Sequence, residues 1–381
     1  MLGLVLVLLP LTRTWTALLP GIVTSVLIVY VAASDSPLWK KLIASRATAL
    51  CLLTLLAATL ISWQHPDAFQ IINRLLLSIC LLPLIAFLFR EHSAVLLVSL
   101  LMLILLQGLW GGAQFVLQED LGHYLLGETQ LVPGGTGLAT FSVHKFFRAY
   151  GPYGHPNVLA GILSLGLLLY AGYPQLVRKA PLRVVYWLLW LSLLLTFSRA
   201  GLLAGLLALA LLLAQQSLSR ALRVRVAAVV LLVSVALLPL WYVRGTDIND
   251  QAVSERQQGL ELAAAVWQRQ NPLLGTGVGN YTNVLQETVA ETGVVVRPWE
   301  IAPVHSVPLL LLLEWGILLG SLLAVGLISL HWPLVRQRWL LLLPLLPTLL
   351  LDHYWYTAPA ATVLLFATLQ LLGSAPARYT S

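Results

Sequence analysis

The stretch Val296-Arg297-Pro298-Trp299-Glu300-Ile301-Ala302-Pro303-Val304-His305-Ser306-Val307-Pro308 carries a polar segment into the apolar run Leu309–Gly320, and His305 marks the junction. A free imidazole titrates near 6.5, so a histidine so placed can take up a proton at neutral pH. The plainer reading is a polar cap on a helix. Phe197-Ser198-Arg199-Ala200-Gly201 is a short turn between two apolar runs. An arginine there has little water to reach and calls either for an anionic partner or for snorkelling to the interface. Arg148 begins the segment Arg148-Ala149-Tyr150-Gly151-Pro152-Tyr153-Gly154-His155-Pro156-Asn157. His155 and Asn157 read first as turn and N-cap residues around Pro156. Asp352-His353 read first as a plain polar turn. The chemistry on offer is a proton acceptor near cations that can hold an anion.

Other candidates carry less. Glu314 lies nine residues beyond His305, about 13 Å deeper and on the opposite face of a helix. It is therefore not expected to orient His305, and a buried partner such as Arg74, or protonation, explains it. Gly275-Thr276-Gly277-Val278-Gly279 follows no strand and fits neither dinucleotide nor P-loop spacing, so it reads as a turn with close backbone approach. The polar segments show no convincing Asp-x-Asp or His/Cys cluster along the sequence, so no metal and no cofactor are expected.

The elements that must position these residues are helices in a membrane. The chain has 381 residues, 59% hydrophobic and 10% charged, with mean hydropathy +0.87. Soluble domains carry about 25% charged residues. A single integral domain over 1–381, all-α and polytopic, is the expectation. Apolar runs fall at about 2–12, 16–33, 45–63, 69–89, 93–110, 156–171, 184–197, 200–214, 226–242, 306–330, 339–351 and 357–373, which makes about twelve spans. The first lacks a basic leader and a cleavage site and reads as a retained helix. Cys51 and Cys80 both sit in apolar runs and offer neither a disulfide framework nor a metal motif.

Basic residues set the orientation. With the N-terminus inside, the inner loops collect Lys40, Lys41, Arg46, Arg90, Arg178, Lys179, Arg183, Arg220, Arg223, Arg225, Arg336, Arg338 and Arg378, against only Asp35 and Glu91. The basic pI then needs no acidic partner, and nucleic acid is not expected. Two outer segments are long, 111–155 and 244–304. In the second, Ser254-Glu255-Arg256-Gln257 fits a capping box, with Arg256, Leu260, Ala263 and Trp267 on one helical stripe. That helix should end before Asn271-Pro272.

Taken in order, Gly154-His155-Pro156-Asn157-Val158-Leu159-Ala160, Thr196-Phe197-Ser198-Arg199-Ala200-Gly201, Arg256 with Trp267, Asn271–Tyr281, and His305 with Glu314-Trp315-Gly316-Ile317-Leu318-Leu319-Gly320 resemble the O-antigen ligase and O-antigen polymerase family of bacterial inner-membrane glycosyltransferases. The resemblance covers about residues 145–320. Ser306 stands where the family usually has asparagine. The resemblance implies a GT-C-like membrane fold and a site facing the periplasm. It implies a glycan donor on undecaprenyl pyrophosphate and an acceptor hydroxyl on a glycan, on lipid A-core or on a protein. It also implies metal-independent, inverting transfer with His305 as catalytic base. Arg148, Arg199, Arg256, His155 and Asn157 are then substrate-binding, since guanidinium groups grip pyrophosphate bidentately. The alternatives are a membrane transporter resembling putative inorganic-carbon transporters of the family, or another polyprenyl-phosphate enzyme.

Overall fold

The computed structural model describes residues 45–132, 138–141, 146–215, 217–239, 242, 251–294, 296–297 and 301–374. The runs at 2–12 and 16–33, with Asp35, Lys40, Lys41, Arg244 and Arg378, lie outside the described residues.

The described residues are mostly helical. In chain order they form α1 (Arg46–Ser62), α2 (Pro66–Leu117), α3 (Pro156–Gly172), α4 (Ala180–Leu195), α5 (Arg199–Leu213), α6 (Arg220–Ala236), α7 (Gln251–Arg269), α8 (Tyr281–Thr292), α9 (Val307–Leu330), α10 (Trp332–Arg338), α11 (Leu346–Leu351), α12 (Tyr354–Thr357) and α13 (Pro359–Ser374). Among them four stretches are long and apolar enough to cross a membrane: Asp67–Arg90, His92–Leu117, Val307–Leu330 and Trp332–Leu351. The first two are halves of α2, which breaks at His92 (φ −140°, ψ 42°). The apolar helices α1, α3, α4, α5 and α13 are shorter.

Helix α3 is the hub, with all of Pro156–Gly172 buried. Association of apolar helices in lipid gains little from the hydrophobic effect, so close packing at small residues does the work. Gly201 of α5 shows it: an added Cβ there would lie 2.6 Å from Ala160 Cβ of α3. Gly326 of α9 likewise admits the Cys51 thiol of α1.

Several expectations need correction. Helix α2 continues past Gly111 to Leu117, because Gly111 and Gly112 are helical, so the first long connection starts later than its composition suggests. Helix α7 includes Gln251, so Ser254 lies inside it and is not its N-cap. The buried stripe of α7 is Leu262, Ala263 and Val266, while Leu260 is exposed. The run at 339–351 is not a regular α-helix. Trp339–Leu345 is a 3-10 turn holding Pro344, which cannot donate an α-helical bond, before α11 begins.

Helix α9 is broken at Gly316 (φ 65°, ψ −179°), a backbone region only glycine visits readily. The break frees backbone groups that an apolar setting cannot leave unpaired. The Asn271–Gly279 loop satisfies them. Thr276 N donates to Leu313 O (2.8 Å) and Gly277 N to Glu314 O (3.0 Å), while Ile317 N donates to Pro272 O (2.9 Å) and Leu318 N to Leu273 O (3.1 Å). Gly275, Gly277 and Gly279 all have positive φ, as this close approach requires. Glu314 Oε2 accepts from Gly279 N (2.8 Å) and from the Tyr356 hydroxyl (2.5 Å). Arg74 is not its hydrogen-bond partner. That guanidinium reaches Thr357 O (2.7 Å) and Gln70 Oε1 (3.1 Å) instead.

Candidate active site

The start of α3, the end of α4, the starts of α5 and α9 and the end of α11 supply the residues of one polar cluster. Each helix end brings its own device for presenting a side chain.

Arg148 follows a two-residue hairpin strand, Phe146–Phe147, paired with Thr140–Phe141. Gln114 of α2 and Gln118, which caps its end, clamp the strand. Gln118 Oε1 accepts from Phe147 N (2.8 Å) and Gln114 Oε1 from Gly151 N (2.7 Å). Ala149 N donates to Leu195 O (3.0 Å), which ties the strand to the end of α4. The Arg148 side chain is consequently buried. Its Nε donates to Thr196 O (2.6 Å) and its Nη2 to Asn157 Oδ1 (2.9 Å).

His155 is the N-cap of α3 and its Nδ1 accepts from Asn157 N (3.1 Å). The ring is therefore the tautomer protonated on Nε2. Burial, and after it the Arg148 charge, pull its pKa down to about 3, with Asp352 opposing. Asn157 turns its amide nitrogen to Asp352 Oδ2 (2.7 Å).

Asp352 ends α11 in extended backbone and opens a tight turn whose aromatic residues anchor it. Trp355 Nε1 donates to Thr348 Oγ1 (2.9 Å), and Thr362 Oγ1 donates to Trp355 O (2.8 Å). Asp352 Oδ1 accepts from His353 N (2.9 Å). Burial pushes its carboxyl up, but the facing imidazoles of His305, His353 and His155 outweigh that and hold it below the usual carboxylate range.

His305 precedes the N-cap of α9. Ser306 caps that helix by accepting from Leu309 N, the task an asparagine would perform there. His305 Nδ1 stands 3.8 Å from Asp352 Oδ1. That is longer than a hydrogen bond, and among the described residues this buried nitrogen has no hydrogen-bond partner. The side chain as a whole is 37% exposed, so its exposure belongs to the rest of the ring. The His353 ring lies beside it at 5.2 Å between centroids. His353 is held neutral, its pKa lowered to about 4 chiefly by burial.

Arg199 is the first residue of α5, is exposed, and follows Ser198, whose hydroxyl accepts from Gly201 N. Phe197 adopts φ +50°, a strained choice for a bulky residue, and packs on Phe115. That turn shares Thr196 with Arg148, so Arg199 leaves the chain at the edge of the cluster. Arg256 is half-buried on α7. Among the described residues no contact joins it to the cluster.

Residues 184–325 match the model of a protein family described as O-antigen ligase. The match supports the O-antigen ligase and polymerase family. No curated protein matches the chain. The O-antigen ligase match takes in Arg199, Arg256, the loop 271–280, His305 and the break at Gly316. Arg148, His155, Asn157, Asp352 and His353 lie outside it, yet they complete the surroundings of His305. The match indicates ligase-type activity in a membrane protein of polysaccharide biosynthesis.

Asp352 and His353 stand out among the polar turns of the sequence but read there first as a plain turn, with no role assigned. Nothing in Asp352-His353-Tyr354-Trp355-Tyr356 alone argues for more than that. The available signal was an ionisable pair beside three aromatics that have to be buried. The sequence also shows no local metal-ligating cluster, but in space His305, Asp352 and His353 bring three ligand atoms within 4.8 Å of one another.

Proposed function

We propose that the protein is a glycosyltransferase of the O-antigen ligase or polymerase type, working at the periplasmic face of a bacterial inner membrane. It moves a glycan from undecaprenyl pyrophosphate to an acceptor hydroxyl without a metal and with inversion. One observation carries this reading: His305, half-exposed, backs onto a buried carboxylate that Asn157 and His353 already hold in place.

His305 Nδ1–H faces Asp352, which fixes the tautomer and leaves Nε2 to take the acceptor proton. The contact of 3.8 Å shortens once substrate is bound, as contacts to a catalytic base commonly do. The acceptor oxygen attacks the anomeric carbon as the bond to the pyrophosphate oxygen breaks. The electron pair leaves with the pyrophosphate, and the proton goes to His305. Arg199 and Arg256 meet the charge that develops on the leaving group. Arg148 contributes its field from behind Asn157 and keeps the Arg199 turn in place. His155 and Asn157 shape the floor on which the acceptor lies.

The test is transfer from a purified lipid-linked donor in the presence of a chelator, with thermal melting of the same samples. His305→Ala should lose ~10²–10⁴-fold in rate, the usual contribution of a general base, while melting within a few degrees of wild type. His305→Gln should resemble it, because the amide cannot take a proton. Near-normal turnover in folded His305→Ala removes the residue from the reaction.

A further inference from the structure

We propose that His305, Asp352 and His353 form a binding site for a divalent transition-metal cation of the zinc class, and that occupancy of this site inhibits the enzyme: the cation takes the lone pair of His305 Nδ1, the ring proton moves to Nε2, and Nε2 can then accept none. The inhibitory half rests on the reading of His305 given above. The binding half stands on geometry alone.

The donor set is two imidazoles and one carboxylate, with ligand atoms within 4.8 Å of one another. Zinc bonds of 2.0–2.2 Å in tetrahedral geometry separate ligand atoms by about 3.3 Å. His305 Nδ1 and Asp352 Oδ1, at 3.8 Å, are already near that spacing. The remaining closure falls on the two half-exposed rings. A single carboxylate cannot build the oxygen cage that calcium or magnesium demands, so hard cations are disfavoured.

A second, independent observation points to a ligand. His305 Nδ1 is buried and, among the described residues, lacks a hydrogen-bond partner. An unpaired buried nitrogen costs free energy that a bound cation would return. The outer contacts also suit ligation. His353 Nδ1 meets Thr357 Oγ1 (2.8 Å), whose own hydroxyl donates to His353 O (3.3 Å). The threonine oxygen therefore accepts from Nδ1–H and leaves Nε2 as the ligand atom. Asp352 Oδ2 is held by Asn157 (2.7 Å), which orients the carboxylate as such partners do at metal sites. Three protein ligands leave the fourth position to water. The Arg148 guanidinium bonds the oxygen of Asn157, away from the amide nitrogen that holds Asp352.

The experiment uses full-length protein in detergent, stripped with chelator. Calorimetric titration with zinc chloride should show one site per chain in the micromolar range or tighter, and none with magnesium chloride. Cobalt(II) should give the visible absorption of a tetrahedral site. His353→Gln and Asp352→Asn should each weaken zinc by at least about tenfold. A zinc-dependent rise in melting temperature, lost in the same variants, checks binding without calorimetry. Zinc affinity equal in wild type and both variants, or its absence in wild type, overturns the site. Inhibition is read separately: zinc at the titrated concentration should suppress transfer, and chelator should restore it. Zinc that binds in the cluster and leaves transfer unchanged overturns the inhibitory half. Normal transfer by His305→Ala in chelator instead overturns the base assignment and leaves the binding result intact.

Discussion

Two polar seams run through this apolar bundle, and they differ in how completely they are satisfied. The joint at Gly316 gathers Glu314, Tyr356 and the Asn271–Gly279 loop. Its groups find partners within the protein: backbone meets backbone, and the Glu314 oxygen is taken by a hydroxyl and an amide. The cluster at the helix ends leaves a histidine nitrogen unpaired and two imidazoles only half-buried. A saturated network fixes a fold, whereas an unsaturated one at an opening is free to meet a ligand. Glu314 and Asp352 are both buried carboxylates in apolar surroundings. What separates a joint from a candidate site is the identity of their neighbours.

The strongest way to break this contrast is Asp352→Asn. If Asp352 acts through His305, transfer should fall by roughly two to four orders of magnitude, as when a base loses its orienting carboxylate. The deciding measurement is the double variant. His305→Ala with Asp352→Asn should be no slower than His305→Ala alone, because residues that act as a unit do not add. Multiplying losses would mean that the two act separately and would dissolve the cluster as a functional unit.

The joint should respond in stability rather than chemistry. Gly316→Ala forces a methyl group into the Leu273 carbonyl at a φ of 65°, which costs on the order of 1–3 kcal/mol or more. Gly320, four residues on, has room for a methyl group, with its nearest neighbours at an ordinary van der Waals distance of 3.7 Å from an added Cβ. Gly320→Ala should be neutral, or stabilising by up to about 1 kcal/mol. Melting temperatures and folded yields in detergent give the comparison, and equal effects at the two glycines would mean that the break is not a joint at all. Activity per folded molecule should change little in either.

How far the sequence reached follows the same division. Local signals announced most apolar helices, the helix stop before Asn271, the glycine turn and the junction at His305, because periodicity and turn chemistry are written within a few residues. Ser254 misled because a capping box can occur inside a helix. The Arg74–Glu314 pairing failed because Tyr356 and Gly279 reach the carboxylate first. Asp352 was illegible as His305's neighbour because only the packing of α11 and α12 against α3 and α9 brings residues so far apart in the chain together.

The smallest effect concerns His155, which marks the border between the two kinds of seam. It caps α3 with a neutral ring and also faces Arg148, His305 and His353. Its pKa in the folded protein is lowered to about 3, first by burial and then by the Arg148 charge, with Asp352 opposing. Between that value and the free value near 6.5 the unfolded chain binds the proton and the folded chain does not, so stability rises with pH across this window. The contribution is present above about pH 6.5 and is lost as pH falls below it. Protonated Nδ1 could no longer accept from Asn157 N, so the cap would fail together with the charge balance. Asp352 works in a separate window, since a lowered carboxyl pKa costs stability only as the pH drops below about 4. Melting temperatures recorded from pH 7.5 to 5 avoid that window, and the difference between wild type and a His155 variant isolates this residue. Wild type should lose several degrees over that range. His155→Asn, which keeps a capping oxygen and does not titrate, should lose less, with His353 and His331 contributing in the same direction. Superimposable curves for the two proteins would show that His155 is a passive cap, and its place in the cluster would then be one of geometry alone.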